Sequence, residues 1–284
     1  MKYLRRITGC YYTADIFVKA CRHNVPSVNL NSSVPKFLKA VNYHKHLLMN
    51  TTLILNFLND VAINNNREWF QEHKNDYELA RQSFELGIAE AIRALAGFDD
   101  EVSHLDVKDC TYRFYRDIRF SPDKSPYKRH FGAYICAKGR KALRGGYYIH
   151  VQPSNCLIAV GSYWLPTNIL TSCRNELMVN IENWRSIVES EEFVKTFGLP
   201  NSGHWENDKV TERGFGLAAL KTMPKGFPRD YEFAQYLRMK DYCCWKKVSD
   251  NFFEGEGWIE EFVEICKLGK PMMDFMNSVI DDYE

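Results

Sequence analysis

The sequence predicts an α+β fold in which a central antiparallel sheet packs against long N-terminal and C-terminal helices. Three observations lead to this prediction. Apolar residues recur at helical intervals over residues 66–97, and they do so again from residue 258 almost to the C-terminus. Between these segments, four runs rich in β-branched and aromatic residues are separated by turn residues. We therefore expect residues 49–284 to form a single α+β domain.

The N-terminal part of this domain is predicted to be helical. Apolar residues between Leu53 and Leu58 indicate a short first helix that ends in the asparagine cluster at residues 64–66. Asn65 is predicted to cap the long second helix, because Glu68 follows it at the spacing of a capping box. The apolar stripe of that helix needs a partner surface, which the sheet can provide.

The remaining elements follow from the same patterns. A helix is predicted over residues 166–188, a further strand around residues 242–248, and a final helix that Pro271 interrupts. The connections at residues 198–216 and 223–229 are rich in glycine, proline and polar residues. The predicted strands of the central sheet are residues 112–120, 131–138, 147–152 and 156–163.

Composition restricts the class of protein. The chain has 284 residues, 45% of them hydrophobic, which is enough to build a large core. It has neither an apolar run of the roughly 18 residues that cross a bilayer nor a secretory signal, so we expect a soluble cytoplasmic protein. Its nine cysteines include no C-x-x-C pair, which argues against a disulfide framework and a zinc site. We expect reduced thiols, and neither a metal nor a cofactor.

Charge is balanced overall, with 37 basic and 36 acidic residues, but it is unevenly distributed. Residues 1–48 contain eight basic residues and one acidic residue, so the rest of the chain is mildly acidic. An acidic body disfavours sequence-independent nucleic-acid binding, which depends on neutralising phosphates. No partner protein is indicated.

The basic N-terminal segment has three interpretations. It can be a translated upstream region with Met49 as the true start, a basic targeting leader, or a flexible arm that binds an acidic partner. We favour the first, because Met49 stands directly before the first apolar-periodic run. We therefore expect residues 1–48 to be disordered or absent from the native product.

The most informative segment is YRFYRDIRFSPDKSPYKRH at residues 112–130. As a strand it would place Arg116 on an otherwise apolar face, where a guanidinium needs a carboxylate or an anionic ligand. Two prolines stiffen the turn that follows, so Arg119, Lys124 and Lys128 can converge on a phosphate or carboxylate beside Tyr127. Alternatively, the alternating Arg and Asp residues form ion pairs on a solvated face.

This segment also carries a resemblance to a known family. Residues 116–128 fit the pattern RD-[IV]-RFS-x-DK-[ST]-PYK, and further matches occur at residues 65–77, 146–150 and 224–227. In these motifs, which span roughly residues 49–240, the chain resembles the family of conserved hypothetical bacterial and fungal proteins classed as domain of unknown function 2461. Residues 1–48 lie outside the resemblance, and Val160-Gly161-Ser162 departs from the family's glycine-rich strand. The resemblance implies an uncharacterised protein with no assigned catalytic residue.

Two residues are candidates for proton transfer. His150 can act as a general base beside the basic loop, although a hydrogen-bonded histidine on a sheet face is the simpler interpretation. Asp117 is the second candidate, although orienting the neighbouring arginines is a simpler role. His73 fits a helix-packing stripe with Trp69 and Tyr77. The signatures of P-loop, dinucleotide-binding, α/β-hydrolase and zinc-protease sites are absent from the sequence.

The leading functional hypothesis is a pocket for an anionic, phosphate-bearing small molecule. Its ligand-binding residues would be Arg116, Arg119, Lys124, Tyr127 and Lys128, with His150 nearby. Whether the protein is an enzyme stays open at this point. If it is, the basic groups would stabilise negative charge while His150 or Asp117 moved a proton.

Two other hypotheses belong to different classes. The signature residues can form internal ion pairs in a non-catalytic interaction or structural protein. Alternatively, the basic loop can associate with nucleic acid through Tyr112, Tyr115 and Tyr127, a hypothesis that the acidic body ranks last.

Overall fold

The computed structural model describes residues 49–206, 209–255 and 257–283. These residues belong to one compact unit. The expectation that residues 1–48 are disordered or absent from the native product falls outside the described residues.

The secondary structure confirms the predicted α+β class. Within the described residues, the α-helices are α1 (Thr51–Ile63), α2 (Arg67–Glu72), α3 (Lys74–Leu95), α4 (Val107–Cys110), α5 (Thr167–Val179), α6 (Ile181–Val188), α7 (Glu191–Phe197), α8 (Ala234–Leu237) and α9 (Trp258–Ile280). The strands are β1 (Phe131–Ile135), β2 (Gly146–Val151), β3 (Leu157–Ser162), β4 (Trp205–Glu206), β5 (Lys209–Val210), β6 (Arg213–Phe215) and β7 (Tyr242–Lys247).

The central sheet is antiparallel throughout, with the strand order β1-β2-β3-β7-β6. β4 and β5 form a separate two-stranded ribbon. Side chains alternate across the sheet, so Tyr147, Ile149 and Val151 of β2 enter the main core, while Tyr148 and His150 face the opposite side. Helices α3 and α9 pack against the sheet on the side of the main core. They do not cover the side that Tyr148 and His150 face.

The segment 112–120, predicted as a strand, is not a strand of this sheet. Thr111, just before it, bridges Ala133 of β1, Tyr112 N donates to Gly132 O, and Tyr115 bridges Tyr127. Arg116 N donates to Pro126 O and Lys128 N donates to Phe114 O, so the segment folds back on itself. The prolines at positions 122 and 126 remove two backbone donors, and this favours a local loop over a regular sheet strand.

The start of the second helix also differs from the prediction. Asn66 is the cap, because its side chain accepts from Trp69 N, whereas the predicted cap Asn65 points towards Tyr127. The predicted long helix is divided at His73, which separates α2 from α3. The His73 ring stacks on Trp69 with centroids 4.1 Å apart, in agreement with the packing role.

Two further helix predictions are corrected. The helix predicted over residues 166–188 is two helices, α5 and α6, which meet at Asn180. The final helix is continuous through Pro271. Pro271 is exposed, so the carbonyl group that lacks its helical donor faces water, while Met272 and Met273 anchor the other side of α9 in the core.

Candidate functional site

A cavity of about 420 Å³ lies on the side of the sheet that Tyr148 and His150 face. β2, β3 and β7 form its floor, and Lys128 and His130, which follow the basic loop, contribute to its wall. We call this space the sheet cavity. Its apolar lining includes Trp245, which belongs to a small cluster of buried residues separate from the main core.

His150 is at the centre of a hydrogen-bond chain in the sheet cavity. Its Nε2 lies 2.9 Å from Gln152 Oε1, and its Nδ1 lies 2.8 Å from Tyr148 Oη. Gln152 Oε1 also accepts a hydrogen bond from Asn155 Nδ2, which identifies that atom as the oxygen. Nε2 of His150 therefore carries the proton, and Nδ1 accepts from the Tyr148 hydroxyl.

A second histidine lies directly against the first. The rings of His130 and His150 stack with centroids 4.4 Å apart. Burial lowers the pKa of His150 to about 4, and burial together with His150 and Lys128 lowers that of His130 to about 2. Both imidazoles are therefore neutral at physiological pH, and they can act as hydrogen-bonding groups without adding charge.

Lys128 contributes a positively charged amino group to the sheet cavity. Its amino group lies over the Tyr112 ring, 5.3 Å from the centroid, and it has no ion pair or side-chain hydrogen bond with any described residue. Burial, with a smaller effect from Arg113, lowers the pKa of Lys128. The described lining of the cavity contains no carboxylate, and Arg140 supplies a second positive charge.

The other predicted ligand-binding residues lie outside this cavity. Arg116 donates to Asp123 at 2.5 Å and also to Ser125 O and Ser121 Oγ. Arg119 donates twice to the carboxylate of Asp117, at 3.0 and 2.7 Å. These contacts match the alternative in which the signature residues form ion pairs with each other.

Both carboxylates of the loop have lowered pKa values. The Arg119 guanidinium lowers the pKa of Asp117 to about 2. The pKa of Asp123 lies well below its usual range, because the Ser125 hydroxyl and amide donate to it and Arg116 pairs with it. Asp117 is thus an ionised partner of Arg119, and it has no access to the sheet cavity.

The remaining two predicted residues also have protein partners. Lys124 Nζ donates to Ile118 O at 3.0 Å on the exposed side of the loop. The Tyr127 ring is buried and stacks on Phe70 with centroids 4.0 Å apart. Of the five predicted ligand-binding residues, the structure brings only Lys128 into one space with His150.

The separation of Tyr127 from Lys128 has a simple cause. The chain is extended here, so successive side chains point to opposite sides: Tyr127 enters the core, while Lys128 and His130 enter the cavity. The same alternation is present in the sequence as K-x-H at residues 128–130, and it is the signal that could have identified His130 as a lining residue. The contribution of Arg140, from a distant turn, gave no comparable signal.

The region around the cavity matches a known family. The model of a family of conserved hypothetical proteins, DUF2461, matches residues 53–275. The chain belongs to this family. The match covers the basic loop, the whole central sheet and the residues that line the sheet cavity, and it confirms the resemblance seen in the signature segment. No curated protein and no solved structure matches the chain.

One thiol lines the cavity of this DUF2461 protein. Cys243 Sγ donates to Asp241 Oδ1 at 3.0 Å, and burial raises the pKa of the thiol well above its usual value. Cys243 is therefore protonated at neutral pH and is not an activated nucleophile. Within residues 49–206, 209–255 and 257–283, no three His, Cys, Asp or Glu side chains cluster as a metal site would require. No described helix combines the length and apolar character needed to span a bilayer.

Proposed function

We propose that this DUF2461 protein binds a small molecule with an anionic group, such as a phosphate, in the sheet cavity. The observation that supports the proposal is the amino group of Lys128, which contacts the Tyr112 ring but has neither an ion pair nor a side-chain hydrogen bond with any described residue, in a cavity whose described lining has no carboxylate. A partly buried ammonium group loses hydration, and a bound anion would replace it. The anion would also raise the pKa of Lys128 towards its usual value.

The rest of the lining suggests the kind of molecule that carries the anion. The cavity volume of about 420 Å³ falls within the roughly 300–1,000 Å³ of small-molecule sites. Tyr112 and Trp245 offer aromatic surfaces for a ring, and the neutral His130 supplies a hydrogen-bonding group that can fix its orientation. Both ring nitrogens of His150 are engaged by Tyr148 and Gln152. An anionic molecule with a ring fits this combination.

If the bound molecule reacts, Tyr148 and His150 are the groups placed to move a proton. The Tyr148 hydroxyl donates to His150 Nδ1, and because burial raises the pKa of Tyr148 and lowers that of His150, the proton stays on Tyr148. Tyr148 would therefore act as a general acid that donates this proton to a basic atom of the ligand, while neutral His150 fixes the position of the hydroxyl. The Lys128 ammonium would stabilise negative charge that develops nearby. In this proposal Tyr148 takes the place of Asp117, which lies outside the cavity.

The basic loop has a supporting role in this proposal. Its ion pairs, Arg116 with Asp123 and Arg119 with Asp117, hold the loop that ends at Lys128. The predicted internal ion pairs and the predicted anion site are thus parts of one arrangement, in which the pairs position the lysine.

The test compares two lysines of the same segment. Thermal shift and titration calorimetry would be performed with inorganic phosphate, adenosine 5′-monophosphate (AMP), a sugar phosphate and a dicarboxylate. We expect at least one of these anions to stabilise the wild type and Lys124→Met, and its affinity to fall about tenfold or more in Lys128→Met. Arg119→Ala serves as a second control and should bind like the wild type. Equal binding by wild type and Lys128→Met, or no binding of any of these anions, would refute the proposal.

A further inference from the structure

A second and larger space adjoins the sheet cavity. Its volume is about 830 Å³, and its lining includes Arg174 of α5 and the segment that connects β6 to α8. We call it the Arg174 cleft. Tyr163, Trp205 and Leu217 line both spaces, so the two are neighbours that share a wall.

Arg174 is a buried cation that forms no ion pair with any described residue. Its side chain is only 3% exposed, and it donates to Leu237 O at 2.7 Å and to Met239 O at 2.9 Å. Carbonyl oxygens fix the guanidinium group but do not neutralise its charge. No carboxylate of the described residues forms an ion pair with Arg174, although a buried charge without a partner is costly.

The acidic residue that lines the cleft is already engaged. Asp241 accepts hydrogen bonds from the amides of Leu217 and Ala218 and from the Cys243 thiol. Burial raises the pKa of Asp241, which means that the surroundings disfavour the ionised form of its carboxyl group. Asp241 therefore holds the backbone of the cleft in place and is not an ion-pair partner of Arg174.

Three lysines add to the positive charge of the cleft. Lys221, Lys225 and Lys240 line it, are exposed, and form no ion pair with any described residue. The excess of positive charge is local. The mildly acidic character of the rest of the chain is screened over distances beyond about 10 Å at 0.1 M salt, so it does not prevent an anion from binding here.

Aromatic side chains stand between the cations. Tyr163, Trp164 and Trp205 line the cleft and are 61%, 77% and 57% exposed. Trp164 has φ of +61°, in the left-handed region that bulky residues rarely adopt. Such a conformation at a cavity wall is typical of functional sites, where strain holds a side chain in a required position.

We propose that the Arg174 cleft and the sheet cavity form one elongated site for a short 5′-phosphorylated single-stranded oligonucleotide. Phosphates would contact the cations of the two spaces, and bases would stack on the aromatic residues between them, the combination by which proteins bind single strands. The two volumes together exceed those of ordinary small-molecule sites, which favours an extended ligand. The inference rests on the proposed function for the end of the site at Lys128.

The experiment compares AMP, 5′-phosphorylated tetra-adenylate and inorganic tripolyphosphate, which has charge but no bases. Affinities would be measured by calorimetry at one salt concentration. We expect the tetra-adenylate to bind the wild type at least about tenfold more tightly than AMP or tripolyphosphate does. The double variant Lys221→Met/Lys225→Met should lose this gain and keep its affinity for AMP. Lys74→Met/Lys195→Met, which removes two exposed lysines outside both spaces, should behave like the wild type.

The possible results distinguish the elongated site, the stacking of bases and anion binding at Lys128. Equal affinities for AMP and tetra-adenylate, or a gain unchanged in Lys221→Met/Lys225→Met, would overturn the elongated site and leave Lys128-dependent AMP binding intact. Tripolyphosphate binding as tightly as tetra-adenylate would overturn the stacking of bases. AMP binding that does not respond to Lys128→Met would contradict the proposed function, while a gain that depends on Lys221 and Lys225 would still support the cleft. Arg174 is left unchanged because its two hydrogen bonds hold the end of α8.

Discussion

The side-chain amide of Asn65 pairs in both directions with the backbone of Tyr127. Asn65 Nδ2 donates to Tyr127 O and Tyr127 N donates to Asn65 Oδ1, each at 3.0 Å. The turn between α1 and α2 is thereby tied to a segment 62 positions later in the chain. Because Lys128 is the next residue, this pair of hydrogen bonds also sets where Lys128 enters the sheet cavity.

Asn65→Ala should therefore destabilise the protein. The substitution leaves the Tyr127 N–H and carbonyl without their partners in a partly buried place, which we expect to cost about 1–3 kcal/mol of unfolding free energy. Urea unfolding followed by circular dichroism would measure it. Asn64→Ala is the matched control, since the one described partner of Asn64 Nδ2 is Asp60 O, within the same helix. Similar losses in the two variants would contradict the role of the Asn65 pair.

The two arginines of the loop should differ in importance. Arg116 is 25% exposed and binds three groups of the loop, whereas Arg119 is 75% exposed, pairs with Asp117 and lies over the exposed Phe120 ring. Arg116→Met should lower the unfolding free energy by about 1–2 kcal/mol. Arg119→Met should leave the unfolding midpoint unchanged, because an exposed ion pair contributes little. A larger loss for Arg119→Met than for Arg116→Met would refute this ranking.

Gly161 permits the close contact between β3 and β7. Its φ is +116°, and a Cβ atom there would collide with the carbonyl oxygen of Tyr242. We expect Gly161→Ala to cost more than about 3 kcal/mol, because backbone strain and the collision add up. Gly139→Ala is the control: its φ is also positive, at +82°, but a Cβ atom would meet nothing within 4 Å. It should cost only about 1 kcal/mol in the same unfolding experiment.

Sequence patterns predicted the fold class because the signals of β2, β3, β7 and α9 are local. Each of these elements carries its own periodicity, and packing did not override it. The failures have a different origin. Asn66 took the cap position because Asn65 bonds to the distant Tyr127. The segment 112–120 contacts β1 only at its start and otherwise pairs with its own continuation. Such choices depend on residues far apart in the sequence.

The candidate site was predictable only in part. Lys128 could be chosen as a cation of the proline-flanked turn and His150 as a polar residue on a predicted strand, and the structure places both in one cavity. Arg116 and Arg119 were equally conspicuous, yet their carboxylate partners, Asp123 and Asp117, lie within the same loop. Distinguishing a paired arginine from an unpaired lysine requires knowledge of which side chains point the same way, and the sequence of an irregular loop does not contain it.

The two histidines of the sheet cavity should make stability depend on pH. In the unfolded chain a histidine titrates near 6.5, whereas the folded protein holds the pKa of His150 at about 4 and that of His130 at about 2. Between pH 6.5 and pH 4 the unfolded state therefore binds more protons than the folded state. Stability is fully present above pH 6.5 and falls as the pH is lowered, by at most about 1.4 kcal/mol per pH unit for each histidine.

His150→Gln tests this dependence, since glutamine does not titrate and can still hydrogen-bond to Tyr148 and Gln152. Unfolding free energies of wild type and variant would be measured by urea titration from pH 7.5 to pH 4.5. The variant should be less stable at pH 7.5, but its stability should fall less steeply, so the two curves approach each other as the pH decreases. Asp241, whose pKa burial raises, acts in the opposite direction, but it is present in both proteins and cancels in the difference. If the unfolding free energies of wild type and variant fell in parallel with pH, His150 would titrate normally in the folded protein. That result would contradict a neutral His150 hydrogen-bonded to Tyr148.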